Sequence, residues 1–554
     1  MFKEELQKLV KKETGKDVTL EVPPDLSMGD YAFACFVFAK ELKKSPVLIA
    51  KEFAAKIKPR GIIRAVQSQG PYVNFFLDTA SLGVSVIKRI EQEHEHYGSN
   101  HTGKGRHALI EHTSINPNAS PHVGRARNAL IGDVLARLLR FEGYKTDVHY
   151  FVNDVGKQIA MLVLGCKDKK KVGFHDLLQL YIDVNKKVEA DPTLEKEVFG
   201  LLNKFEAGNA SVRKRFREIV DVCVQGQSAV LEELGIKFDH FDYESDYIMN
   251  KTTDKVLGAL KKTGKLFVDE EKRTVLDLKG FDLPMESPVL VLTRADGTTL
   301  YPTRDIAYNL DKNSWAKGRN VLVLGEDQKL YMQQVSAALK LLKQSVPEVV
   351  HYAFVLLTTG KMSTRQGNLV LLEDFMSEAL KHAHAAMKRE FSEEKANALA
   401  KTVAYGAVKF TILKVANEKT VTFDLDSALS FEGDTAPYCQ YAHARIHSIL
   451  KKANVHEPKL PAKAVFSTPQ EHKLILGLGE FPCVVQKALE EKNPSELVHF
   501  VVKVAKAFSE FYHACPVIDA EEQVRRSRLA LINATRIVVE NGLDLLGIEA
   551  PDEM

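Results

Sequence analysis

Hydrophobic residues recur at two different spacings in the first hundred residues, and the change between them predicts a small α/β unit. Residues 17–22 alternate as a strand does, and residues 42–57 carry apolar side chains at helical spacing. Residues 62–76 give two strand-like runs around Gly70-Pro71, a turn signal. Residues 95–106 contain several Gly and His residues and are predicted to form a linker.

The next pattern is strand, loop, helix and strand, the order of a βαβ unit in a parallel sheet. Residues 108–113 are a short strand candidate, and a loop with two prolines separates them from a helical run that Gly143 ends. Residues 146–152 alternate again as a strand. The continuous apolar runs 321–325 and 353–357 predict further buried parallel strands.

Three other patterns complete the predicted organisation. Residues 165–283 are highly charged and helical in pattern, and they predict an insertion because sheet signals resume afterwards. Residues 289–293 and 298–301 flank Asp296-Gly297, which predicts a hairpin. Strand signals vanish from about residue 393, which predicts a helical bundle. The expected fold class is α/β, with a Rossmann-like parallel-sheet domain between a small α/β N-terminal domain and an all-α C-terminal bundle.

The length of 554 residues exceeds what one hydrophobic core holds, so three or four domains are expected. We place the boundaries at 1–100, 101–415 with the insertion at about 165–285, and 416–554. Lys+Arg (76) and Asp+Glu (73) nearly cancel, so net charge gives no evidence for nucleic acid. Any RNA contact must come from local clusters of cations.

The six cysteines are scattered and form no C-x-x-C pair, which argues against a disulfide framework and a structural zinc site and favours a reducing compartment. The chain begins with a charged amphipathic helix pattern, not a signal peptide. No apolar run approaches the roughly 20 residues of a membrane span. These features predict a cytoplasmic protein without a membrane partner.

A loop at residues 115–125 lies between the strand and the helix of the βαβ unit, where open α/β sheets bind ligands. The free N–H groups of the helix N-terminus suit a phosphate. Gly124 leaves room for a nucleotide against the backbone, and His122 can donate to a phosphate. On this stretch alone, Pro121 and His122 acting only as a helix start explain the residues equally well.

A second loop, residues 360–368, reads Gly-Lys-Met-Ser-Thr-Arg-Gln-Gly-Asn and follows the predicted strand 353–357. Its cations Lys361 and Arg365 can neutralise charge on a leaving pyrophosphate. Taken alone, such a loop is more commonly a solvated basic turn.

In this order and on these elements, the two loops resemble the HIGH and KMSKS motifs of class I aminoacyl-tRNA synthetases. The surrounding sequence resembles one member, the arginyl-tRNA synthetase family, over nearly the whole chain. The match is weakest at 165–240. The segments that carry the resemblance are 23–31, 116–128, 132–133, 152–158, 301–305, 362–368, 433–445 and 546–554.

The resemblance implies a class I arginine–tRNA ligase whose parallel-sheet domain is catalytic. It would spend ATP, with Mg²⁺ carried by the nucleotide, to form arginyl-adenylate and then transfer arginine to the 2′-hydroxyl of the terminal adenosine of its tRNA. The implied partners are L-arginine and tRNA, and we expect a monomer. The residues carried over to ATP and catalysis are His122, Gly124, Arg125, Lys361, Ser363 and Arg365.

The resemblance also implies a pocket for the arginine guanidinium, a planar fork of N–H donors that carboxylates accept in pairs. Lysine cannot reproduce this fork. The acidic and aromatic positions are Glu244, Tyr301, Asp305 and Gln328, while Asn116, Asn153 and Gln158 would hold the backbone end of arginine. Each acid considered alone is better explained as an exposed salt bridge or a helix cap.

Two positions depart from the family motifs. Arg125 stands where the second histidine of HIGH is expected, and Thr364 replaces the second lysine of KMSKS. Gln366 stands where a lysine is often found. These departures leave open a synthetase-like tRNA-binding protein with reduced or no charging activity. A class I synthetase for another amino acid is a second alternative, but the paired acids and Tyr301 argue against it, because an aliphatic side chain would leave them without a partner in a buried pocket. A structural assembly subunit is a third alternative.

The resemblance of the C-terminal helices is to an anticodon-binding domain, with the N-terminal domain touching the corner of the tRNA. Tyr438, Tyr441 and Tyr512 match aromatic positions, and rings on a helix face can stack unpaired bases. Arg445 and the cluster Arg525, Arg526 and Arg528 are candidates for phosphates. The alternative for the tyrosines is a core position with a wet hydroxyl. No metal ligands are expected.

Overall fold

The structure is a computed structural model that describes residues 2–166, 172–357, 370–387 and 391–554. Its N-terminal part is a three-stranded antiparallel sheet of order β1-β3-β2 covered by helices. The elements are α1 (Phe2–Thr14), β1 (Tyr31–Ala34), α2 (Phe36–Leu42), α3 (Pro46–Lys56), β2 (Ile63–Gln69), β3 (Tyr72–Leu77) and α4 (Thr79–Glu93).

The central element is a five-stranded sheet in which every neighbouring pair is parallel, with strand order β11-β10-β4-β5-β6. Chain order and sheet order reverse between β4 and β10, so the sheet has a switch point there. In open α/β sheets, ligands bind outside the carboxyl ends of the strands at this point. The strands are β4 (His107–Glu111), β5 (Lys145–Val152), β6 (His240–Tyr243), β10 (Arg319–Gly325) and β11 (Glu348–Tyr352).

The helix α5 (Val123–Phe141) crosses from β4 to β5 and lies almost against the sheet. A Cβ on Gly132 would stand 2.2 Å from the ring of the buried His112, so only glycine permits this approach. Asn128 ties three elements together, since its Oδ1 accepts from Thr113 N at 2.6 Å and its Nδ2 donates to Val323 O at 2.9 Å. The N-terminus of α5 is thereby fixed at the switch point.

Helices between β5 and β6 enclose a hydrophobic core of their own, apart from the cores on the two faces of the sheet. They are α6 (Lys157–Gly165), α7 (Asp176–Ala190), α8 (Pro192–Glu206) and α9 (Ala210–Glu232). A small antiparallel sheet of β7 (Leu266–Val268), β8 (Thr274–Asp277) and β9 (Val289–Val291) follows, together with α10 (Glu244–Met249), α11 (Thr252–Lys261), α12 (Tyr301–Ala316) and α13 (Lys329–Leu341).

The C-terminal part is helical apart from two short strands, and its core is continuous with one face of the central sheet. The elements are β12 (Val355–Leu357), α14 (Leu372–Ala386), α15 (Glu393–Leu413), β13 (Val421–Phe423), α16 (Leu425–Ala428), α17 (Ala436–Lys452), α18 (Pro469–Glu490), α19 (Ser495–Ala514) and α20 (Glu522–Leu545). None of the described helices combines the length and apolar character that crossing a bilayer requires.

The helix α18 contains Pro482, which has no N–H to give to the carbonyl of Leu478. The hydroxyl of Tyr97 donates to that carbonyl at 2.9 Å, and Asn100 Nδ2 donates to the carbonyl of Pro482 itself at 2.9 Å. The segment between the N-terminal part and the sheet therefore satisfies polar groups in the C-terminal bundle and fastens the two together.

The predicted fold class is confirmed, but five local predictions are wrong. Residues 17–22 form only an isolated antiparallel bridge, between Glu21 and Ala32, and residues 17–20 pair with no strand. The charged segment predicted as a helical insertion contains β6, an edge strand of the central sheet, and the antiparallel strands β7 and β8. Residues 298–301 give one bridge at Thr299 before Tyr301 begins a helix, since Pro302 favours a helix start.

The fourth error concerns the run 353–357, which does not join the central sheet. Its described strand, β12, pairs in parallel with β13 in a separate two-stranded sheet, and Phe354 is 61% exposed. The edge strand of the central sheet is β11 instead. The strand β13 also corrects the prediction that strands are absent after residue 393.

Arg127 is a fully buried arginine on α5 that binds four backbone carbonyl oxygens. Burial lowers its pKa to about 10, which leaves the guanidinium charged at neutral pH. Its acceptors are the carbonyls of Ala353 (2.7 Å), Val415 (3.1 Å), Ala416 (2.9 Å) and Lys419 (2.7 Å). One side chain thus joins α5 to the segment that enters β12 and to the segment that leaves α15.

We predict that Arg127→Met lowers the free energy of unfolding by about 3 kcal/mol or more, because several buried carbonyls lose their donor. Arg140→Met on the same helix is the control, since Arg140 makes one half-exposed pair with Asp239 at 3.1 Å. That change is expected to cost less than about 1 kcal/mol. Denaturant unfolding measures both, and equal midpoints for the two variants would contradict the role of Arg127.

Candidate active site

A cavity of about 340 Å³ opens at the carboxyl ends of β4, β5, β6 and β10, at the switch point of the sheet. Its volume is within the range of small-molecule sites, about 300–1,000 Å³. The cavity is lined by six of the residues predicted to hold an amino acid, together with one of the residues predicted for the nucleotide: Asn116, Asn153, Glu244, Tyr301, Asp305, Gln328 and Arg125.

Glu244 begins α10 directly after β6 and is buried, with 3% of its surface exposed. Asp154 holds this turn, because its carboxylate accepts from Ser245 N at 2.8 Å and from Ser245 Oγ at 2.6 Å. Burial raises the pKa of Glu244 to about 8, and the Arg304 guanidinium at 2.9 Å opposes that rise. The amide nitrogen of Asn153, oriented toward acceptors, donates to Glu244 Oε2 at 2.6 Å.

Asp305 lies one turn into α12, on the same side of the helix as Tyr301. Burial raises the pKa of its carboxyl to about 6, and the hydroxyl of Tyr331 donates to that carboxylate. The rings of Tyr301 and Tyr331 lie 5.0 Å apart, and Tyr301 is 54% exposed. A carboxylate and an aromatic ring therefore face the same side of the cavity.

The acids of the cavity differ in how their charge is balanced. Glu244 is paired with Arg304, and Glu111 at the end of β4 is paired with the buried Lys312. The described hydrogen-bond donor to Asp305, by contrast, is a neutral hydroxyl. Asp305 is therefore the acid whose charge is best available to a cationic ligand.

The loop after β4 carries Asn116, which is exposed and donates to Gln158 Oε1 at 3.3 Å. Gln227, a buried residue of α9, donates to the carbonyl of Asn116 at 3.0 Å and to the carbonyl of Ala119 at 2.8 Å. Tyr150 donates to Gln227 Oε1 at 2.8 Å and thus orients the amide. Gln158 does not line the cavity but holds the loop beside it.

His122 precedes the first residue of α5, with an extended backbone and no side-chain capping bond. Burial and the neighbouring Arg125 lower the pKa of the imidazole to about 4, so it is neutral at pH 7 and can donate through one nitrogen. A Cβ on Gly124 would lie 3.0 Å from His122 Nδ1. The glycine therefore leaves space for the imidazole as well as for a ligand.

Lys361, Ser363 and Arg365 lie outside the described residues, as does Thr364. The chain that follows them is placed, because Val123 N donates to Val370 O at 3.0 Å and Leu372 N donates to Pro121 O at 2.7 Å. Val370, where the described chain resumes, therefore contacts the start of α5. The described chain after the second motif segment thus lies beside the segment that carries the first motif.

In the C-terminal part, the guanidinium of Arg445 lies 4.7 Å from the ring of Tyr441 and 5.0 Å from the ring of Tyr512. Both tyrosines are more than a third exposed. Tyr438, in contrast, is half-buried and packs against the core. The structure thus brings together three of the four residues predicted to contact tRNA.

The prediction that Arg528 contacts phosphates is wrong. Its guanidinium is buried, donates to Glu471 Oε1 at 2.7 Å and to the carbonyl of Pro516 at 2.7 Å, and so faces the protein interior. Arg526 in the same cluster is exposed. The repeated arginines fall on different faces of α20, which sequence spacing alone did not separate.

Known families account for most of the chain. The family model described as "tRNA synthetases class I (R), catalytic domain" matches residues 86–425, "DALR anticodon binding domain" matches 439–554, and "Arginyl tRNA synthetase N terminal domain" matches 1–77. The arginine–tRNA ligase of Methanocaldococcus jannaschii is 38% identical, over 99% of this chain and 98% of that protein. The chain belongs to the arginyl-tRNA synthetase family. The arginine–tRNA ligase of Archaeoglobus fulgidus is 39% identical over 94% of each chain.

Solved structures agree with this membership of the arginyl-tRNA synthetase family. The Thermus thermophilus arginyl-tRNA synthetase superposes over all of both chains with a TM-score of 0.84 at 28% identity. The Plasmodium falciparum enzyme has the same TM-score at 18% identity, which shows a shared fold.

Three residues that shape the site were not found from the sequence. Gln227 comes from the segment with the weakest resemblance, Arg304 is the neighbour of the predicted Asp305, and Tyr331 is one turn into α13. Arg304 lies within residues 301–305, one of the segments that carry the resemblance, so the sequence does contain a signal for it. Nothing local to Gln227 or Tyr331 indicates a polar partner far away in sequence.

We predict that Gln227→Leu lowers kcat for arginine charging by about tenfold to 100-fold, because misplacing a reacting group by about 1 Å has effects of that order. Leucine keeps much of the volume but removes both donors to the loop. The control is Gln179→Leu, an exposed position whose amide donates to Asp183 at 2.8 Å within α7. Unchanged kcat in Gln227→Leu, with KM for tRNA also unchanged, would refute the positioning role.

Proposed function

We propose that the cavity at the switch point binds L-arginine, with the guanidinium held by Asp305 and Glu244 and covered by Tyr301. The protein is an arginine–tRNA ligase that uses ATP to activate L-arginine as arginyl-adenylate. It then transfers the arginyl group to the 2′-hydroxyl of the terminal adenosine of tRNA. The observation that carries the pocket assignment is the placement of two acids and an exposed aromatic ring in one cavity.

The charges around the cavity favour a guanidinium over an ammonium group. Arg304 takes one oxygen of Glu244 and the Asn153 amide takes the other, whereas the described donor to Asp305, the Tyr331 hydroxyl, takes only one oxygen of that carboxylate. A planar fork with several N–H donors can bind the second oxygen of Asp305 and share those of Glu244, while lysine has a single donor point. Gln328, which also lines the cavity, supplies a further acceptor.

We assign the backbone end of arginine to Asn116 and Asn153, which line the cavity, and to Gln158, which holds the loop beside it. Support comes from the contact of Asn116 with Gln158 and of Asn153 with Glu244. Orienting the carboxylate for in-line attack on the α-phosphorus of ATP needs no nucleophile from the chain. The bond to the phosphorus forms as the bond to pyrophosphate breaks, and AMP leaves later, when the ribose hydroxyl attacks the acyl carbon.

We assign ATP to His122 and Gly124 at the start of α5, with Arg125, Lys361, Ser363 and Arg365 meeting the phosphates. The neutral imidazole of His122 can donate a hydrogen bond to a phosphate without adding charge. Arg125 stands where the motif has its second histidine and supplies a positive charge there. Mg²⁺ would be held through the nucleotide phosphates. The acids Glu111 and Glu244 already pair with cations of the chain, so they do not form a ready cage for it.

For tRNA, we propose that Tyr441, Arg445 and Tyr512 form an exposed stacking surface for bases of the anticodon region, with Tyr438 supporting it from the core side. An exposed ring beside a guanidinium suits unpaired bases and phosphate. We also propose the domain division 1–100, 101–415 and 416–554, a monomeric state and a cytoplasmic location.

The first test is charging of unfractionated tRNA with labelled arginine, beside labelled lysine and glutamine. We predict charging with arginine alone, and a fall of about 100-fold in kcat/KM for arginine in Asp305→Asn, because a charge-assisted pair contributes roughly 1.5–3 kcal/mol. The asparagine can still accept from Tyr331, so the fold should persist.

Asp311→Asn is the matched control, since Asp311 is on the same helix but does not line the cavity. Equal effects of the two changes would count against the assignment of Asp305. A protein that binds tRNA and charges no amino acid would instead mean that Arg125 and Thr364 have removed the chemistry.

We predict that Arg445→Met raises the dissociation constant for tRNA about tenfold, because one charged contact and one stacking platform are lost. Lys451→Met on the same helix is the control, because Lys451 is 84% exposed and its described partner, Glu553, lies 3.9 Å away. Binding is measured by fluorescence anisotropy at fixed salt. If both variants bind like the parent chain, this surface does not contact tRNA.

A further inference from the structure

Two histidines and an aspartate meet where the end of the chain crosses α17. His443 and His447 are one helical turn apart, so both rings project from the same side of α17, with centroids 4.7 Å apart. Asp552 comes from the last residues of the chain, and its Oδ1 lies 3.1 Å from His447 Nε2. One ligand atom from each residue lies within 4.8 Å of the others.

The tautomer of His443 is fixed by the backbone. Its Nδ1 lies 3.0 Å from the carbonyl oxygen of Pro551, which can only accept, so Nδ1 carries the proton and Nε2 presents a lone pair. His443 is 1% exposed, and its Nε2 has no hydrogen-bond partner among the described residues. An imidazole that donates one N–H to a backbone carbonyl and aims its other nitrogen into a cluster is the usual state of a metal-binding histidine.

We propose that His443, His447 and Asp552 form a Zn²⁺ site that fastens the C-terminal residues to α17. Two imidazoles and one carboxylate are a ligand set that zinc accepts, with water completing a tetrahedron. The site is separate from the arginine pocket and does not depend on the proposed function.

The three ligand atoms must move closer together to bind one zinc ion. Zinc–nitrogen distances of about 2.0–2.1 Å place ligand atoms about 3.4 Å apart in a tetrahedron, so the most distant pair, which lies within 4.8 Å, must approach by at most about 1.4 Å. Asp552 can supply this movement because its side chain is 73% exposed. The two rings need only rotate on a fixed helix.

The surrounding charges allow a cation. Glu540 Oε2 lies 4.0 Å from His443 Nε2 and binds the guanidinium of Arg536 at 2.8 Å, so the one nearby described cation of α20 is already paired. Burial lowers the pKa of both imidazoles, which is the direction that favours the neutral, metal-binding form.

A bound ion would reinforce an attachment that the chain already makes. Gln440 Nε2 donates to the carbonyl of Glu549 at 2.9 Å, and His443 donates to that of Pro551, so α17 holds the tail at two points. Asp552 would become a third point through the metal. The expected effect is on the stability of the C-terminal part, where the ion binds the folded state only.

The test is Zn²⁺ binding to the full chain after dialysis against a chelator, measured by competition with a chromophoric chelator. We expect one ion per chain with micromolar or tighter affinity, and at least tenfold weaker binding in Asp552→Asn and in His447→Gln. The control is Asp426→Asn, which removes the carboxylate from another exposed pair, His382 with Asp426 at 3.2 Å. That variant should bind like the parent chain.

Two further readouts separate a site from a loss of folding. Without metal, Asp552→Asn should melt at the temperature of the parent chain, and added Zn²⁺ should raise the melting temperature of the parent but not of the variant. Co²⁺ in the parent should give the visible absorption of a tetrahedral complex. No binding at micromolar Zn²⁺, or parent-like affinity in Asp552→Asn, would overturn the proposal.

Discussion

The buried guanidinium of Arg127 is the contact on which the arrangement of the active-site edge depends. It lies four residues after Val123, the first residue of α5, and binds carbonyls on both segments that border the two-stranded sheet of β12 and β13. The chain leaves the described structure after β12 and returns at Val370, which pairs with Val123. The described residues before and after the second motif segment therefore both contact α5, the helix that starts within the first motif. A carbonyl is a geometric acceptor without a net charge, so four of them hold the cation in place without creating an ion pair in the core.

The cavity follows a related rule of charge balance. Glu111 and Glu244 are each compensated inside the protein, by Lys312 and Arg304, which limits the cost of burying them. Asp305 receives a hydroxyl instead, and burial raises the pKa of its carboxyl to about 6. A cationic ligand beside Asp305 supplies the missing charge, and the same ligand restores the ionised state that burial disfavours. If the cavity binds arginine as proposed, selectivity for a guanidinium comes from how the fold has already used the other acids.

The sequence predicted those strands and site residues that a local pattern of residues identifies. The run at 321–325 is buried on both faces and was assigned correctly, because a continuous apolar stretch fits a central parallel strand. The strand β6 reads His-Phe-Asp-Tyr, too short and too polar to stand out, yet it pairs with β5 and aims Glu244 into the cavity. Motif likeness placed Asn116, Glu244 and Asp305 as candidates, but their partners depend on tertiary contacts. Arg304 and Asp305 are adjacent in sequence and take different roles because one faces Glu244 and the other faces Tyr331.

The charged segment between β5 and β6 illustrates why resemblance and importance need not coincide. Its likeness to the family is weakest, and its pattern is that of solvated helices around their own small core. Gln227 of α9 nevertheless holds the loop after β4 by two carbonyls, and Tyr150 of β5 holds Gln227. Backbone carbonyls present the same acceptor whatever side chains surround them, so this attachment constrains one position of α9 and leaves its neighbours free to vary. A segment that reads as an appendage in sequence thus acts as part of the frame of the active site.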